Sequence, residues 1–285
     1  MHPALRLIRP HQWAKNLLLL LPAAAAHRVG EVAVGGDLVR AVISFSLLAS
    51  AVYAANDVAD APHDRLHPTK KARPVASGAV GTGPALALAG VLAGVSLAVA
   101  WSLPRPFLWT WAVYLALTTG YSLGLKRVVM LDVIILAALY TVRVVAGSAA
   151  VDVPLSRWFL AFAVFFFASL ALLKRAVESV GGNAAIPGRG WREGDLPVLT
   201  ALGAGSAVAA ALVYCLYITG DDVLRLYGRP DLLWMGLPIL LYWIGRAWLL
   251  AHRGEVHDDP VVFALRDGSS WGALLLMALT VWLAA

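Results

Sequence analysis

Nine apolar segments of about twenty residues each run through this chain, at 12–30, 38–57, 83–103, 106–125, 129–150, 156–177, 196–219, 231–252 and 270–285. An α-helix satisfies its own backbone hydrogen bonds, and ~20 residues of it cross a hydrocarbon layer ~30 Å thick. Such segments predict an all-α, polytopic membrane bundle of about nine transmembrane helices. Strands of barrel type are excluded, because runs such as Trp158 to Leu173 show no polar alternation. Only 14% of the 285 residues are charged and 60% are hydrophobic, against ~25% charge in an ordinary soluble domain. No polar stretch approaches the ~100 residues of a separate soluble domain, so residues 1–285 are expected to form a single transmembrane domain. The ninth segment is the shortest. The apolar run from Leu17 follows Trp13, Lys15 and Asn16 without a small-residue cleavage site, and is expected to be the first span rather than a cleaved leader.

Charge orients the spans. Of 23 Lys and Arg residues, only Arg28, Arg40, Arg105, Arg157, Arg225 and Arg229 lie on one side of the predicted membrane; Arg143 lies inside the fifth span, and the rest gather on the other side with the N-terminus. The positive-inside rule makes the rich side cytoplasmic, as in a bacterial inner membrane. Most of the 17 acidic residues share that face, although the orientation rule does not require them there. Mixed charge at helix ends points to a site for a metal with an anion. The net charge of +6 also suits anionic lipid headgroups, and no nucleic-acid partner is expected.

Several chemistries are excluded. Cys215 stands alone, so an intrachain disulfide, a cysteine-based zinc site and an iron–sulfur cluster are ruled out. Walker and GxGxxG loops are missing. Gly90 and Gly94 form a GxxxG pair, which predicts close helix packing.

The most informative stretch is Asn56-Asp57-Val58-Ala59-Asp60-Ala61-Pro62-His63-Asp64 at the cytoplasmic end of the second span. On a helix, Asp57, Asp60 and Asp64 fall within an arc of about 60°. Three such carboxylates repel one another unless a cation sits among them, and hard oxygen ligands suit Mg2+ bridging to substrate phosphates. The alternative is a solvated helix end whose acids pair with the basic loop that follows. Pro62 is expected to disturb α geometry at Ala61 and move Asp64 off the arc. Arg65, Lys70, Lys71 and Arg73 come next as an anion clamp, or as a topology signal. His63 and His67, one turn apart, lack a third zinc ligand of their type.

Other loops on this face repeat the theme, with Arg9, Lys15 and Asn16 before the first span, Tyr121, Lys126, Arg127 and Asp132 between the fourth and fifth, and Lys174, Arg175 and Glu178 after the sixth. Lys174 and Glu178 are spaced for an i, i+4 ion pair. Arg143 must face a polar interior, as an anion ligand or bonded to a neighbouring helix; Asp132 lies three turns away on nearly the same face. His257-Asp258-Asp259-Pro260 and Arg266-Asp267 form a last polar cluster, in which Asp259 could cap a helix opening at Pro260.

The Asn-Asp-x-x-Asp-x-x-x-Asp stripe ending the second of nine spans resembles the first aspartate-rich motif of the UbiA superfamily of intramembrane prenyltransferases. Arg9-Pro10-His11-Gln12-Trp13-Ala14-Lys15-Asn16, His67-Pro68-Thr69-Lys70-Lys71-Ala72-Arg73-Pro74, Tyr121 to Asp132 and Lys174-Arg175-Ala176-Val177-Glu178 resemble its decaprenyl-phosphate phosphoribosyltransferase branch. The resemblance implies helices around a central cavity, with Asp57, Asp60 and Asp64 holding Mg2+. Members that prenylate aromatic rings carry a second aspartate-rich motif where this chain has Lys174-Arg175-x-x-Glu178. That replacement implies one Mg2+ and extra phosphate groups, as in phosphoribosyl diphosphate. The Asp258-Asp259-Pro260 cluster departs from the branch.

The resulting expectation is transfer of 5-phosphoribose from phosphoribosyl diphosphate to a polyprenyl phosphate. Substrate ligands would come from Lys15, Asn16, Asn56, Arg65, Lys70, Lys71, Arg73, Tyr121, Lys126, Asp132, Arg143, Lys174, Arg175 and Glu178. Homo-oligomeric assembly is compatible with this expectation. Prenyl transfer from a polyprenyl diphosphate to a small acceptor is the alternative within the fold. A carrier or channel needs polar groups through the full depth of the membrane, where only Arg143 lies. The Asp-Gly-x-x-Ala-Arg core of CDP-alcohol phosphotransferases is missing.

Overall fold

The computed structural model describes residues 3–66, 70–180, 189–192, 194–256 and 259–285. Twelve α-helices follow in chain order: α1 (Pro3–Ile8), α2 (Leu21–Ala25), α3 (Val32–Asp64), α4 (Thr82–Trp101), α5 (Arg105–Leu123), α6 (Leu131–Val151), α7 (Arg157–Val180), α8 (Leu196–Ile218), α9 (Asp221–Leu226), α10 (Gly236–His252), α11 (Pro260–Arg266) and α12 (Gly268–Ala284). Stretches of 3-10 helix join some of them, and no strand occurs among the described residues. The all-α expectation holds. Six helical segments are long and apolar enough to cross a membrane, or seven if α11 and α12, bent by 86°, count as one span. The predicted first and fourth spans do not meet that measure among the described residues.

The helices group into two compact units. The first holds residues 1–24, 28–122 and 142–154. Its centre is α3, whose 33 residues extend about 50 Å, well beyond the ~30 Å of hydrocarbon. The excess length carries the Asn56 to Asp64 stripe past the apolar stretch. Inside a bilayer, apolar side chains gain little by leaving lipid for protein, so small residues and interhelical hydrogen bonds do the packing. Accordingly α3 buries Ala41, Ser44, Ala49, Ala51 and Ala54, and α4 buries Ala85, Ala89, Ser96 and Ala100. Ser44 and Ser96 donate to each other's carbonyls at 2.9 and 2.7 Å, and the Trp111 indole of α5 donates to Ser96 at 2.8 Å. The GxxxG pair takes no part: a Cβ at Gly90 or Gly94 would meet nothing within 4 Å.

The first apolar segment is not one regular α-helix. Pro10–Leu20 is a 3-10 helix, followed by the five residues of α2. A 3-10 helix stacks residues three apart, and here Trp13, Asn16 and Leu19 share one ridge. Trp13 donates to Ser50 at 2.9 Å and Asn16 to Ser46 at 2.9 Å, one turn apart on α3. The Leu19 backbone lies so close to Gly147 that a Cβ there would land within 2.8 Å of three of its atoms. Contacts at this spacing explain a 3-10 run far longer than the usual 3–4 residues.

The second unit holds residues 25–27, 123–141 and 155–285. Within it, Ser169 of α7 donates to the Gly203 carbonyl of α8 at 2.9 Å and accepts from the Trp248 indole of α10 at 3.0 Å. Asp267 caps α12 and holds Arg246 of α10 through two bonds at 2.8 and 3.0 Å.

Candidate functional site

The carboxylate stripe is the focus of the first unit. Pro62 does not break α3, which stays helical to Asp64, so the expected displacement of Asp64 is corrected. Proline removes one donor, and only two residues of helix follow it. The charge at the centre of the stripe belongs to the protein. Arg73 Nη1 lies 2.6 Å from Asp64 Oδ2, 3.9 Å from Asp57 Oδ1 and 3.9 Å from Asp60 Oδ2. Arg9 Nη2 donates to Asp57 Oδ1 at 2.6 Å, and its guanidinium stands 5.1 Å above the Tyr53 ring.

Arg9 has a left-handed backbone, φ 49° and ψ 63°, a conformation that costs a non-glycine residue about 1–2 kcal/mol. Neighbouring anchors hold it. Leu7 of α1 is fully buried in a cluster with Ala54, Ala61, Val75, Ala85 and Ala89, and Arg6 donates to the Ala72 carbonyl at 2.9 Å. Arg6, Arg9, His11, Ala72, Arg73 and Pro74 then line an open pocket of about 260 Å3. Pockets that take drug-sized ligands measure ~300–1,000 Å3, so this smaller, arginine-lined one suits a small polar group and not a polyprenyl chain.

Asp57 is 1% exposed, and its Oδ2 has no hydrogen-bond partner among the described residues. A buried, unsatisfied carboxylate oxygen is costly, and a cation would satisfy it. Asp60, with a side chain 40% exposed, is open to the same cation. No three acidic, histidine or cysteine side chains among the described residues gather closely enough to hold a metal alone. Mg2+ usually takes one or two carboxylates plus substrate phosphates, so the unpartnered Asp57 Oδ2 and Asp60 fit it, while Asp57 Oδ1 is held by Arg9 and Asp64 Oδ2 by Arg73, each at 2.6 Å.

Arg143 is buried within the same unit. Its Nε donates to Asn16 Oδ1 at 2.9 Å and its Nη2 to the Tyr114 hydroxyl at 2.9 Å, while the guanidinium sits 4.7 Å over the Tyr114 ring. Arg143 is thus bonded to neighbouring helical segments, one of the two readings its burial allowed, through neutral oxygens and an aromatic face. Lys15 is buried beside Asn16 on the 3-10 segment. Asn56 donates to Ser122 at 2.9 Å, and Arg65 to the Ala76 carbonyl at 3.3 Å. Lys70 and Lys71 are exposed on the turn Lys70–Ala72 and do not line the basic pocket. His63 is exposed; His67, His257 and Asp258 lie outside the described residues.

The second unit has its own charged centre. Arg175, fully buried, donates through Nε to Asp132 at 2.8 Å and through Nη1 to Glu178 at 2.6 Å. The Trp191 indole donates to Asp132 at 3.0 Å, and Arg189 stands 3.5 Å from Glu178. Lys174 donates to Asp259 at 2.7 Å, and Asp259 also accepts from Tyr140 at 3.2 Å and caps α11. The expected Lys174–Glu178 pair is corrected accordingly: consecutive residues on a helix point about 100° apart, and each finds a different acid. Tyr121 is half-buried near the end of α5, and Lys126 is half-buried on the turn Leu125–Arg127.

Sequence reasoning missed Arg6 and His11 as pocket residues, Tyr114 as the partner of Arg143, and Trp191 and Arg189 around Asp132. The basic cluster Arg6, Arg9 and His11 just ahead of an apolar run was a visible signal; the others required tertiary contacts.

A sequence model of the UbiA prenyltransferase family matches residues 16–271. The chain is 37% identical over 278 residues to the uncharacterised protein y4nM of Sinorhizobium fredii, covering 95% of this chain and 54% of that protein. It is 33% identical to the nodulation protein NoeC of Azorhizobium caulinodans, over 95% of this chain and 89% of that one. It is 41% identical to decaprenyl-phosphate phosphoribosyltransferase of Mycobacterium tuberculosis, over 60% of this chain and 58% of that enzyme. The chain thus spans about half the length of y4nM and of the mycobacterial enzyme. In structure it is similar to a UbiA homolog from Archaeoglobus fulgidus bound to GPP and Mg2+, with a TM-score of 0.72, 15% identity and 99% of each chain covered. At that identity the likeness is one of fold.

Proposed function

This chain belongs to the UbiA prenyltransferase family, and we propose that it transfers 5-phosphoribose from phosphoribosyl diphosphate to a polyprenyl phosphate. One observation carries the reading: a pocket bearing Arg6, Arg9 and Arg73 adjoins a carboxylate cluster that leaves Asp57 Oδ2 unpartnered. The likeness to decaprenyl-phosphate phosphoribosyltransferase supports the choice of donor and acceptor.

In this reading Asp57 and Asp60 hold Mg2+, which when bound neutralises the departing diphosphate. Arg6, Arg9 and Arg73 bind the diphosphate oxygens and keep them oriented. The C1–O bond of the ribose breaks, its electron pair leaving with diphosphate, while a phosphate oxygen of the acceptor forms the new bond to C1. The acceptor is already an anion, so the protein need supply neither nucleophile nor base. Arg143 with Asn16 and Tyr114, and Lys174 and Arg175 with their acids, are positioning groups. Lys15, Asn56, Arg65, Lys70, Lys71, Tyr121 and Lys126 remain candidate substrate contacts. The charge asymmetry supports a multi-pass protein of the bacterial inner membrane, with the site and the N-terminus facing the cytoplasm.

Prenyl transfer to a small acceptor is the second reading. It is favoured by the neutralisation of Lys174 and Arg175 by Asp259, Asp132 and Glu178, which leaves those cations less available to extra phosphates. Incubation with ribose-labelled phosphoribosyl diphosphate, polyprenyl phosphate and Mg2+ tests the choice. Lipid-extractable label is expected; its absence, together with turnover of a polyprenyl diphosphate, would favour the second reading.

A further inference from the structure

Two guanidiniums belong at once to the acidic cluster and to the basic pocket. Arg9 bonds Asp57, Arg73 reaches all three carboxylates, and both line the cavity that Arg6 and His11 complete. They do not hold the acids equally. Arg73 is close only to Asp64; its 3.9 Å approaches to Asp57 and Asp60 are weak, and Asp57 Oδ2 stays unpartnered and buried. The arrangement supplies enough positive charge to keep three carboxylates together, yet leaves Asp57 Oδ2 and Asp60 open to a divalent ion.

We propose that Arg73 is an exchangeable internal cation. With Arg9 paired to Asp57 Oδ1, Arg73 completes the neutralisation of the cluster before loading, and yields Asp60 and the unpartnered Asp57 Oδ2 to the divalent ion while its own charge turns to the incoming diphosphate. Asp64 is the anchor that keeps Arg73 within reach during the exchange. The inference rests on the reading of this site as one for metal and diphosphate. Arg73 competes with the metal when the anion is absent and favours the anion when the metal is present, so each ligand prepares the site for the other.

This predicts shifts of opposite sign in one variant. In the full-length protein in detergent, with Mn2+ as a spin probe for Mg2+, Arg73→Gln should bind Mn2+ alone at least about fivefold more tightly, because a unit charge a few ångströms from the ligands is gone. Metal-free inorganic diphosphate should bind it at least about fivefold more weakly. Mn2+ affinity that is unchanged or reduced in Arg73→Gln overturns the proposal, as it would for a residue that only contacts phosphate or only supports the fold. If Arg73→Gln does not fold, Arg73→Lys provides the test. Its compact ammonium retains Asp64 but loses the longer approaches, so a smaller gain in Mn2+ affinity is expected and an unchanged affinity overturns the proposal. Neither measurement uses ribose or lipid. Tighter Mn2+ binding in the variant, with no phosphoribosyl transfer by the wild-type protein, would leave the exchange standing and remove the functional reading; transfer by the wild type without that gain in the variant would remove only the exchange.

Discussion

Arg9 reaches Asp57 from a left-handed backbone, its Nη2 2.6 Å from the carboxylate that α3 buries almost completely. Local strain is thus spent on holding a charge at the site, a use of unfavourable dihedrals typical of binding centres. Arg9→Gly relieves the strain but removes the guanidinium, and Arg9→Ala removes the guanidinium and keeps the strain. Donor binding should weaken about tenfold or more in both, as expected for a lost charge-assisted bond of ~1.5–3 kcal/mol. The glycine variant should melt higher than the alanine variant. Equal donor affinity in Arg9→Ala and wild type would remove Arg9 from the pocket.

The three carboxylates should not be equivalent. Asp57 and Asp60 are open to a cation, while Asp64 acts through Arg73. Asp57→Asn is therefore expected to lower kcat/KM by about 10²-fold or more, the scale of losing an electrostatic contact made in the transition state. Asp64→Asn should cost roughly tenfold and, by releasing Arg73 from the cluster, move the Mg2+ dependence to lower rather than higher concentration. Initial rates across a Mg2+ titration separate the two, and a right-shifted Mg2+ curve in Asp64→Asn would contradict the assignment.

Much of the fold was legible because hydropathy reports on the solvent a helix meets. The helices α3, α4, α6, α7, α8 and α10 lie within or around the apolar segments that announce them. Helix type in the first segment was not legible, since the contacts that suit a 3-10 form of Pro10–Leu20, with Ser46, Ser50 and Gly147, are tertiary. At the site, the period of α3 placed Asp57, Asp60 and Asp64 together. The identity of their partner was hidden, because Arg73 lies beyond the end of α3, where no helical period places it. For the same reason Lys174 and Glu178, well spaced on paper, are drawn apart by Asp259 and Arg189.

Glycines offer a test of packing. Gly147→Ala drives a methyl into the Leu19 backbone, which cannot swing away as a side chain would. A loss of about 2–3 kcal/mol or more is expected. Gly90→Ala and Gly94→Ala enter open space and should be neutral or stabilising by about 0.5–1 kcal/mol through helix propensity. Thermal unfolding in detergent ranks the three. A large loss at Gly90 or Gly94 would show that the GxxxG pair is in close contact after all.

The charges of α7 allow a sharper test, because two adjacent basic residues answer to different acids. Lys174 contacts Asp259 at 2.7 Å, whereas Arg175, wholly buried, is held by Asp132 and Glu178. A double-mutant cycle with Lys174→Met and Asp259→Asn should give a coupling of about 1–3 kcal/mol. The same cycle between Lys174 and Glu178 should close to within about 0.5 kcal/mol. Asp132→Asn should be worse than either single change, costing about 3–5 kcal/mol, because it breaks one of the two ion pairs of a fully buried guanidinium and leaves Glu178 as its remaining acid. Coupling of Lys174 to Glu178 as strong as to Asp259 would restore the i, i+4 pair that the spacing predicts and dissolve the separation of the two networks.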